Sequence, residues 1–563
     1  MNLARFLAKA LVVFGATDIF GIPGGAVLEI LYACEEQEGM TTHLNYHEQA
    51  AAYAACGYAQ AAGKIGAVYA TKGPGVTNYI TAMAEAYYDS LPVVFITAHS
   101  QKKINGVMRN EIGQEMDTLA LVSQYTKYAT RIDDLENACE EIVFALEKAN
   151  EGRKGPVFID IYTGILKTEI VEPAFFYDRK KIENNSILLE AVEAIYLHLQ
   201  RSERPILLLG DGIHIANVED EIQQLIYKMG IPVLASRCAQ DICIENPLYY
   251  GFVGSHATRY SNFILEKADL IIVLGNRMAY PIDSKSFSKI GNKKMIRIDV
   301  DTAEFMRKIP GANNFGVDLK ELLPMLLCKD YEESWIEWIE VCNIIRQKLW
   351  EIDVTPIIKL ISTLIKYFDK DGCIVCDEGN NELWVSRAYA FSSTINRLLY
   401  SKTFKTVGSA IGKAIGAYYA SRHNVLCFVG DQGFQFNIQE LQYISYHKLP
   451  IKIIIINNNS PGMMKSSEKR LGYNYFLHTT LQTGYSNPSF KKIACAYEID
   501  YMRISNGEVC DENIAFIQTD KPGILEIVIE DSIEVEQILP VGNDCTDFLP
   551  KLDAQLKAYL DQL

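Results

Sequence analysis

Short, wholly apolar runs recur along this chain, each followed by a stretch long enough for a helix, and nothing else in the sequence restricts the fold so tightly. The first series is DIFGI, GAVYAT, PVVFITA and PVFIDIY; the second is PILLLG, IPVLAS, DLIIVLG and KMIRIDVD; the third is CIVCDEG, NVLCFVGDQG, PIKIIIINNN and GILEIVIED. A strand that is apolar at successive positions is buried on both faces, and helices between such strands return the chain for parallel pairing. At 563 residues the chain is too long for one core. The polar stretch EPAFFYDRKKIENNS and the region after LPMLLCKDYEES separate the series. The expected architecture is α/β: three doubly wound domains with mostly parallel sheets, over residues 1–170, 187–330 and 355–540.

A formal net charge of −16 argues against nucleic acid or an acidic membrane surface as partner. No apolar run approaches the about 18 residues of a membrane span. The opening MNLARFLAKALVVFGA leads straight into DIFGI, so it reads as a first amphipathic helix feeding a first strand rather than a signal peptide. The 13 cysteines are scattered and odd in number, as suits reduced thiols in cytoplasm. Cys373 and Cys376 form a C-x-x-C inside the apolar run CIVC, with no second pair at zinc spacing; they are expected to be buried strand residues.

In doubly wound sheets ligands bind beyond the carboxyl ends of the strands. Two turns at such ends are rich in polar groups. GDQGFQFN follows the strand NVLCFVG, and NNNSPGMM follows PIKIIII, with the helical IQELQYISYHK between them. Adjacent parallel strands bring Asp431 and Asn458, 27 positions apart (458 − 431), to one sheet edge. Gly430 and Gly433 allow backbone to approach a ligand closely, and amides at a helix start hold phosphate. A carboxylate, an amide oxygen and a loop carbonyl form a hard-oxygen set, suited to Mg2+ that shares its shell with phosphate and water. Solvated turns use the same residue types. Both turns at strand ends, at this spacing, point instead to one divided metal–diphosphate site.

These motifs resemble those of thiamin-diphosphate-dependent enzymes, and among them the catalytic subunits of acetolactate synthases. GDQGFQFNIQELQ is similar to that family's GDxSFQMNxQEL, and NYHEQAAAYAACGYAQAAGK to its RHEQxAxxxAxGYARxxGK. ATKGPGVTN is similar to TSGPGATN, and FGIPGGAVLEIL to FGYPGGAxLPxYD, so the resemblance runs along nearly the whole chain. It implies pyrimidine-binding, central and diphosphate-binding domains in that order. The cofactor carries the carbanion chemistry, and the protein supplies position and electrostatics.

By this resemblance Glu48 is the carboxylate that hydrogen-bonds the aminopyrimidine ring and promotes loss of the C2 proton. Ala50, Ala51, Ala52 and Ala54 follow it on a small-residue helix, which suits a carboxylate set close to a flat ring. Gln114 in EIGQEMD matches the Gln of the family's FQE motif and is the second catalytic candidate. Gly25, Pro74 and Asn78 match positions beside the cofactor, and Val407 matches the apolar residue beneath it. Gly379, Asn380 and Asn381 stand where the family has a diphosphate-contacting Gly-Gln-His. Gln432 and Gly433 are expected to offer backbone amides; Gly462 and Met463 keep the family's Gly-Met; Asp431, Asn458 and the Ser460 carbonyl are the expected Mg2+ ligands.

Arg153, Gly254, His256, Arg277 and Asp299 match positions near a flavin that the family binds at its central domain. The resemblance leaves FAD, ADP and an empty nucleotide fold open. It also implies a homodimer or homotetramer in which pyrimidine and diphosphate domains of different chains share each cofactor.

The departures fall on the acceptor side. Gly113 replaces a Phe, Thr163 a Lys, Pro281 an Arg, Ser467 a Trp and Ser255 a Met. Two aromatic walls and two cations suited to a carboxylate are gone, unless Lys127, Lys465 or Arg470 restores the charge. The expected activity is that of an acetolactate-synthase-type carboligase: decarboxylation of pyruvate or a similar 2-keto acid, and transfer of the two-carbon unit to an acceptor carbonyl. The alternatives are a larger acceptor, such as a sugar-nucleotide ketone, and simple 2-keto-acid decarboxylation. A non-catalytic relative would need loss of Glu48 or Asp431, and both are present.

Overall fold

The computed structural model describes residues 1–563 apart from 102–111, 172, 174–184, 279–289, 291–292 and 506. Eighteen strands form three six-stranded sheets. The first comprises β1 (Asp18–Gly21), β2 (Thr41–Leu44), β3 (Gly66–Tyr69), β4 (Val93–His99), β5 (Tyr128–Ile132) and β6 (Val157–Tyr162). The second comprises β7 (Pro205–Leu209), β8 (Val233–Ser236), β9 (Tyr249–Val253), β10 (Leu270–Leu274), β11 (Lys294–Asp299) and β12 (Ala312–Gly316). The third comprises β13 (Cys373–Cys376), β14 (Arg397–Leu399), β15 (Val425–Gly430), β16 (Ile451–Asn457), β17 (Asp500–Ile504) and β18 (Gly523–Val528).

Every ladder is parallel, as the continuous apolar runs require. All seven residues of β4 and all seven of β16 are buried. Cys373 and Cys376 lie in β13, buried among its neighbours. The opening residues form the helix Leu3–Val13, capped by the Asn2 side chain on the Arg5 amide, and its apolar face is buried. Among the described residues no helix is long and apolar enough to cross a membrane.

The first sheet runs β2-β1-β3-β4-β6-β5 and the third β14-β13-β15-β16-β18-β17, the same order repeated. The central sheet runs β12-β11-β10-β7-β8-β9, which is the dinucleotide-fold order 3-2-1-4-5-6 read from its far edge. The chain divides into two compact units. One is Met1–Asp178 with Tyr367–Glu382 and Asn396–Ile533, and it holds the first and third sheets. The other is Arg179–Lys366 with Leu383–Ile395 and Glu534–Leu563, and it holds the central sheet.

Within the first unit the two sheets share a core through the helices Glu48–Ala62 and Ala410–Ser421. Small residues let these backbones meet. A Cβ on Gly412 would stand 2.8 Å from the Ala50 carbonyl oxygen, and one on Gly416 or Gly57 would overlap the backbone of Ala54 or Lys413. Ala50 and Ala54, after Glu48, lie in this helix contact. The Lys413 ammonium enters the same seam fully buried, paired with Glu85.

Candidate active site

Strand order locates the site. In the third sheet the order changes direction between β13 and β15, and crevices for ligands form at such points. The turn after β13 is Asp377–Asn381 and that after β15 is Asp431–Gly433. They are laced together. The Asp377 carboxylate accepts from the amides of Gly408, Ser409 and Ala410 at 2.8–3.3 Å, which pins the loop before the Ala410–Ser421 helix. Burial still pushes this carboxyl up to about 7. A Cβ on Gly433 would overlap the Asp377 carboxylate, so that position must be bare. Gly379 has φ +124°, a conformation L side chains rarely adopt.

Two side-chain amides face a bare Cα in this edge. A Cβ on Gly462 would stand 2.7 Å from the Asn458 amide nitrogen and 2.8 Å from that of Asn380. The Asn380 Nδ2 is buried with no partner among the described residues. Gly462 opens the helix Gly462–Arg470, so its missing side chain leaves a helix start facing these amides. Asn381 is turned inward instead: its Nδ2 donates to the Asp377 carbonyl at 2.6 Å. Val407 is 37 % exposed, so its side chain is not buried in the core. Met463 gives its carbonyl to the Ser467 hydroxyl at 2.9 Å.

Asp431 is 2 % exposed. Its Oδ1 accepts from the Gln432 amide at 3.0 Å, and Oδ2 from the Ser460 amide at 3.2 Å and from Asn487 Nδ2 at 2.6 Å. Burial raises its carboxyl to about 6 in spite of these donors. The Asn487 nitrogen also lies 3.2 Å from the side-chain oxygens of Asn457 and Asn459. A desolvated carboxylate within a ring of amide oxygens is a donor set that fits a hard cation, and the unpartnered Asn380 amide beside bare Gly462 fits phosphate oxygens.

The first sheet turns at the matching point, between β1 and β3. Glu48 begins the Glu48–Ala62 helix, after His47, whose side chain caps it through the Gln49 amide. Its Oε2 accepts from Asn78 Nδ2 at 2.9 Å, and its Oε1 lies 3.5 Å from where a Gly75 Cβ would be. Pro74 starts the one-turn helix Pro74–Asn78 that presents Asn78. Gly25 is exposed, and nothing lies within 4 Å of its Cβ direction. Gln114 is exposed with φ +67°, and its carbonyl rests against Gly73. Sequence reasoning missed what holds that turn. Lys72 Nζ donates to Glu115 at 2.5 Å and to Ser100 Oγ at 2.9 Å. The Lys in ATKGPG where the family motif has Ser was the available signal.

A second lock joins the two edges. Glu440, fully buried, accepts from the Tyr46 amide at 2.9 Å and from Asn45 Nδ2 at 3.0 Å, two and three residues before Glu48. His43 bridges Asp18 at 2.8 Å and Tyr443 at 2.9 Å in the same seam.

Of the flavin candidates, Arg153 belongs to the first unit and donates to Ser90 Oγ at 2.8 Å. Gly254, His256, Arg277 and Asp299 belong to the second, at the carboxyl ends of β9, β10 and β11. Gly254 has φ +143° and open space at its Cβ direction. Asp299 accepts from the Asp301 amide, and His256 Nδ1 pairs with Ser255 Oγ at 2.9 Å. Among the acceptor-side positions, Gly113 is exposed with no atom near its Cβ direction, and Thr163 begins a short turn after β6. Pro281 lies outside the described residues.

With this geometry in view, three family models match the chain: the N-terminal TPP binding domain of thiamine pyrophosphate enzymes over residues 1–121, their central domain over 192–326, and their C-terminal TPP binding domain over 377–527. The chain belongs to the thiamine pyrophosphate enzyme family, and its cofactor is thiamin diphosphate. Within that family it is an enzyme of acetolactate synthase type. It is 30 % identical over 558 residues to the acetolactate synthase large subunit of Lactococcus lactis, covering 96 % of this chain and 94 % of that one. It is 30 % identical over 565 residues to the isozyme 2 large subunit of Escherichia coli K12, covering 98 % and 100 %. Against the probable acetolactate synthase large subunit of Methanocaldococcus jannaschii, the identity is 32 % over 595 residues, covering 99 % and 96 %.

Proposed function

We propose that the chain is a carboligase that decarboxylates pyruvate or a similar 2-keto acid and joins the two-carbon unit to an acceptor carbonyl. The observation that carries this is the split edge around Asp431 and Gly462, a desolvated carboxylate beside the Asn380 amide that has no partner among the described residues, in the same unit as a Glu48–Asn78 pair. Thiamin diphosphate, when bound, supplies the carbon nucleophile. Asp431, Asn458 and Ser460 hold Mg2+ in this reading, and Asn380, Gly379, Gln432, Gly433 and Gly462 receive the diphosphate. Asn78 orients Glu48, which holds the proton that the aminopyrimidine exchanges. Val407 lies under the cofactor, and Lys72, through Glu115, fixes Gln114 at the mouth.

The acceptor reading is narrower. Lys127 donates to the Glu151 carbonyl at 2.5 Å, and Lys465 pairs with Asp531. Both are committed elsewhere, whereas Arg470 donates to Ser467 Oγ at 3.0 Å, beside the missing Trp. Of these three, exposed Arg470 is the cation left for an acceptor, and a keto-acid carboxylate is bound loosely. The acceptor is a larger carbonyl compound. Product mass spectrometry from pyruvate, with and without a neutral aldehyde or ketone, tests this. Slow acetolactate formation that is outpaced when the neutral acceptor is added supports it. Efficient, saturable acetolactate synthesis from pyruvate alone overturns it.

Two further parts of the reading have their own tests. Open Gly254 and the buried, unpartnered Gln240 amide support a nucleotide, FAD or ADP, on the central sheet; absorbance and mass spectrometry of the purified protein decide. In this reading two chains related by a two-fold axis share each site, and their interface is isologous. Mixing inactive Glu48→Gln and Asp431→Ala chains should restore activity, and no recovery despite demonstrated exchange refutes sharing.

A further inference from the structure

One charge interrupts the apolar strand β18. In GILEIV every residue but the last is buried, and the fourth is Glu526, 7 % exposed. Ile455 pairs with Glu526 across the parallel ladder between β16 and β18, and Ile524 stands two positions before it, so Glu526 shares a face with both. Those two isoleucines belong to the core that the first and third sheets share. A carboxylate on such a face is costly unless its oxygens are hydrogen-bonded.

Both oxygens have donors. Tyr501, on the neighbouring β17, gives its hydroxyl hydrogen to Oε2. Asn457, the last residue of β16, gives an Nδ2 hydrogen to Oε1 at 2.7 Å. With its nitrogen committed there, Asn457 turns its Oδ1 into the candidate metal edge. That oxygen accepts from the Asn459 amide at 3.0 Å, closing a turn over Asn458, and from Asn487 Nδ2 at 3.2 Å. Asn459 takes φ +51° in this turn, a conformation uncommon for a residue with a side chain. Asn487 Nδ2 also donates to Asp431 Oδ2 at 2.6 Å, while its Oδ1 accepts from Gln435 Nε2 at 3.2 Å and from the Tyr485 hydroxyl at 3.1 Å. An unbroken path of hydrogen bonds therefore runs from Glu526 to the turn that carries Asn458 and to the Asp431 carboxylate.

We propose that Glu526 is a positioning residue of the metal edge: by accepting from Asn457 it sets which way round that amide lies, and so holds Asn458 and Asp431 in place for a divalent cation. Reversing the Asn457 amide would bring its Oδ1 against a Glu526 oxygen and its Nδ2 against two donors, the Asn459 amide and Asn487. Glu526 touches neither cation nor substrate; it acts through Asn457, as outer partners of metal ligands do. What position 526 must supply is an acceptor oxygen, not a net charge. The inference rests on the reading of Asp431, Asn458 and Ser460 as Mg2+ ligands.

Binding of Mn2+, a paramagnetic stand-in for Mg2+, to the full-length protein with thiamin diphosphate present tests this without turnover; electron paramagnetic resonance counts the free ion. Glu526→Leu removes the acceptor at similar volume and should weaken Mn2+ binding about tenfold. Glu526→Gln keeps an oxygen for Asn457 and should stay within about threefold of the wild type. Asn457→Ala removes the oriented amide and should also cost about tenfold. The double variant Glu526→Leu/Asn457→Ala is decisive. It should bind no more weakly than the weaker single variant, whereas two independent effects would multiply to about 100-fold. A role confined to folding would lower the urea midpoint of Glu526→Leu and leave its Mn2+ affinity untouched. That result overturns the proposal, as do equal losses in Glu526→Gln and Glu526→Leu, or multiplication in the double variant. Should Glu526→Leu fold poorly, wild-type affinity in Asn457→Ala overturns it alone. Wild-type protein that binds no Mn2+ removes the metal edge itself, whereas wild-type binding with unaltered variants removes only Glu526.

Discussion

The first and third sheets have one strand order and opposite chemistry at the same edge. At the β1/β3 turning point the first sheet offers Glu48 with its amide partner Asn78, flanked by the Lys72–Glu115 pair and by glycine, proline and alanine. Around the β13/β15 turning point the third sheet crowds Asp377, Glu378, Glu382, Asp431 and the asparagines 457–459 into three strand-end turns, almost all of them dry. In the proposed reading, identical topology serves a flat, weakly polar ring in one case and a polyanion with its cation in the other. The central sheet, with a different order, shows that parallel α/β architecture alone dictates neither.

Substitutions that separate the two edges give the largest effects. Glu48→Gln should lower hydrogen–deuterium exchange at the cofactor's C2 by about 10²–10⁴-fold and leave cofactor affinity nearly unchanged, read by NMR and calorimetry. Asp431→Ala should do the reverse, weakening Mg2+-dependent cofactor binding on the order of 100-fold, since the remaining ligands are neutral. If both variants lose affinity equally, the division of labour between edges is wrong. Gly462→Ala is a milder probe of the third-sheet edge. Its methyl would crowd the Asn458 and Asn380 amides at 2.7 and 2.8 Å. It should cost about tenfold in cofactor affinity, or roughly 1.4 kcal/mol, with little change in melting temperature of the cofactor-free protein.

The sequence made the strands, their parallel pairing and the Asp431–Asn458 juxtaposition readable, because continuous apolar runs and strand-end motifs are local signals. Contacts made across hundreds of residues were not readable. Ala50 and Ala54 look like room for a ring and instead admit the Gly412–Gly416 face. Asn487, the amide at the centre of the Asp431 oxygens, sits in an irregular loop with no period and no motif of its own. Asn381 looks like a ligand donor, but Gly379 bends the turn so that it bonds Asp377. Glu378 and Glu382 belong to no motif in the sequence; only the folded loop brings Lys405 to them.

The smallest effect tests the joint between the edges. Glu440 reaches from the third-sheet side to the Asn45–Tyr46 loop that precedes Glu48, and burial pushes its carboxyl from 4.5 up to about 7. An acid whose native value is raised binds its proton more tightly when folded. Its contribution to stability is fully present below about pH 4.5 and is lost as pH rises through 7. The difference across that window is an upper bound of about 3 kcal/mol. Glu440→Gln removes the titration and keeps an oxygen for the Tyr46 amide. Its new amide nitrogen would oppose Asn45 Nδ2, but Asn45 Oδ1 is buried without a partner, so a flip of the Asn45 amide restores the bond. The variant should therefore be slightly less stable than the wild type at pH 5 and equal or more stable at pH 8. Urea midpoints of the cofactor-free protein at pH 5, 6, 7 and 8 read this directly. Parallel curves for the two proteins would mean that Glu440 is ionised throughout, and that the loop before Glu48 is held by charge rather than by a neutral carboxyl.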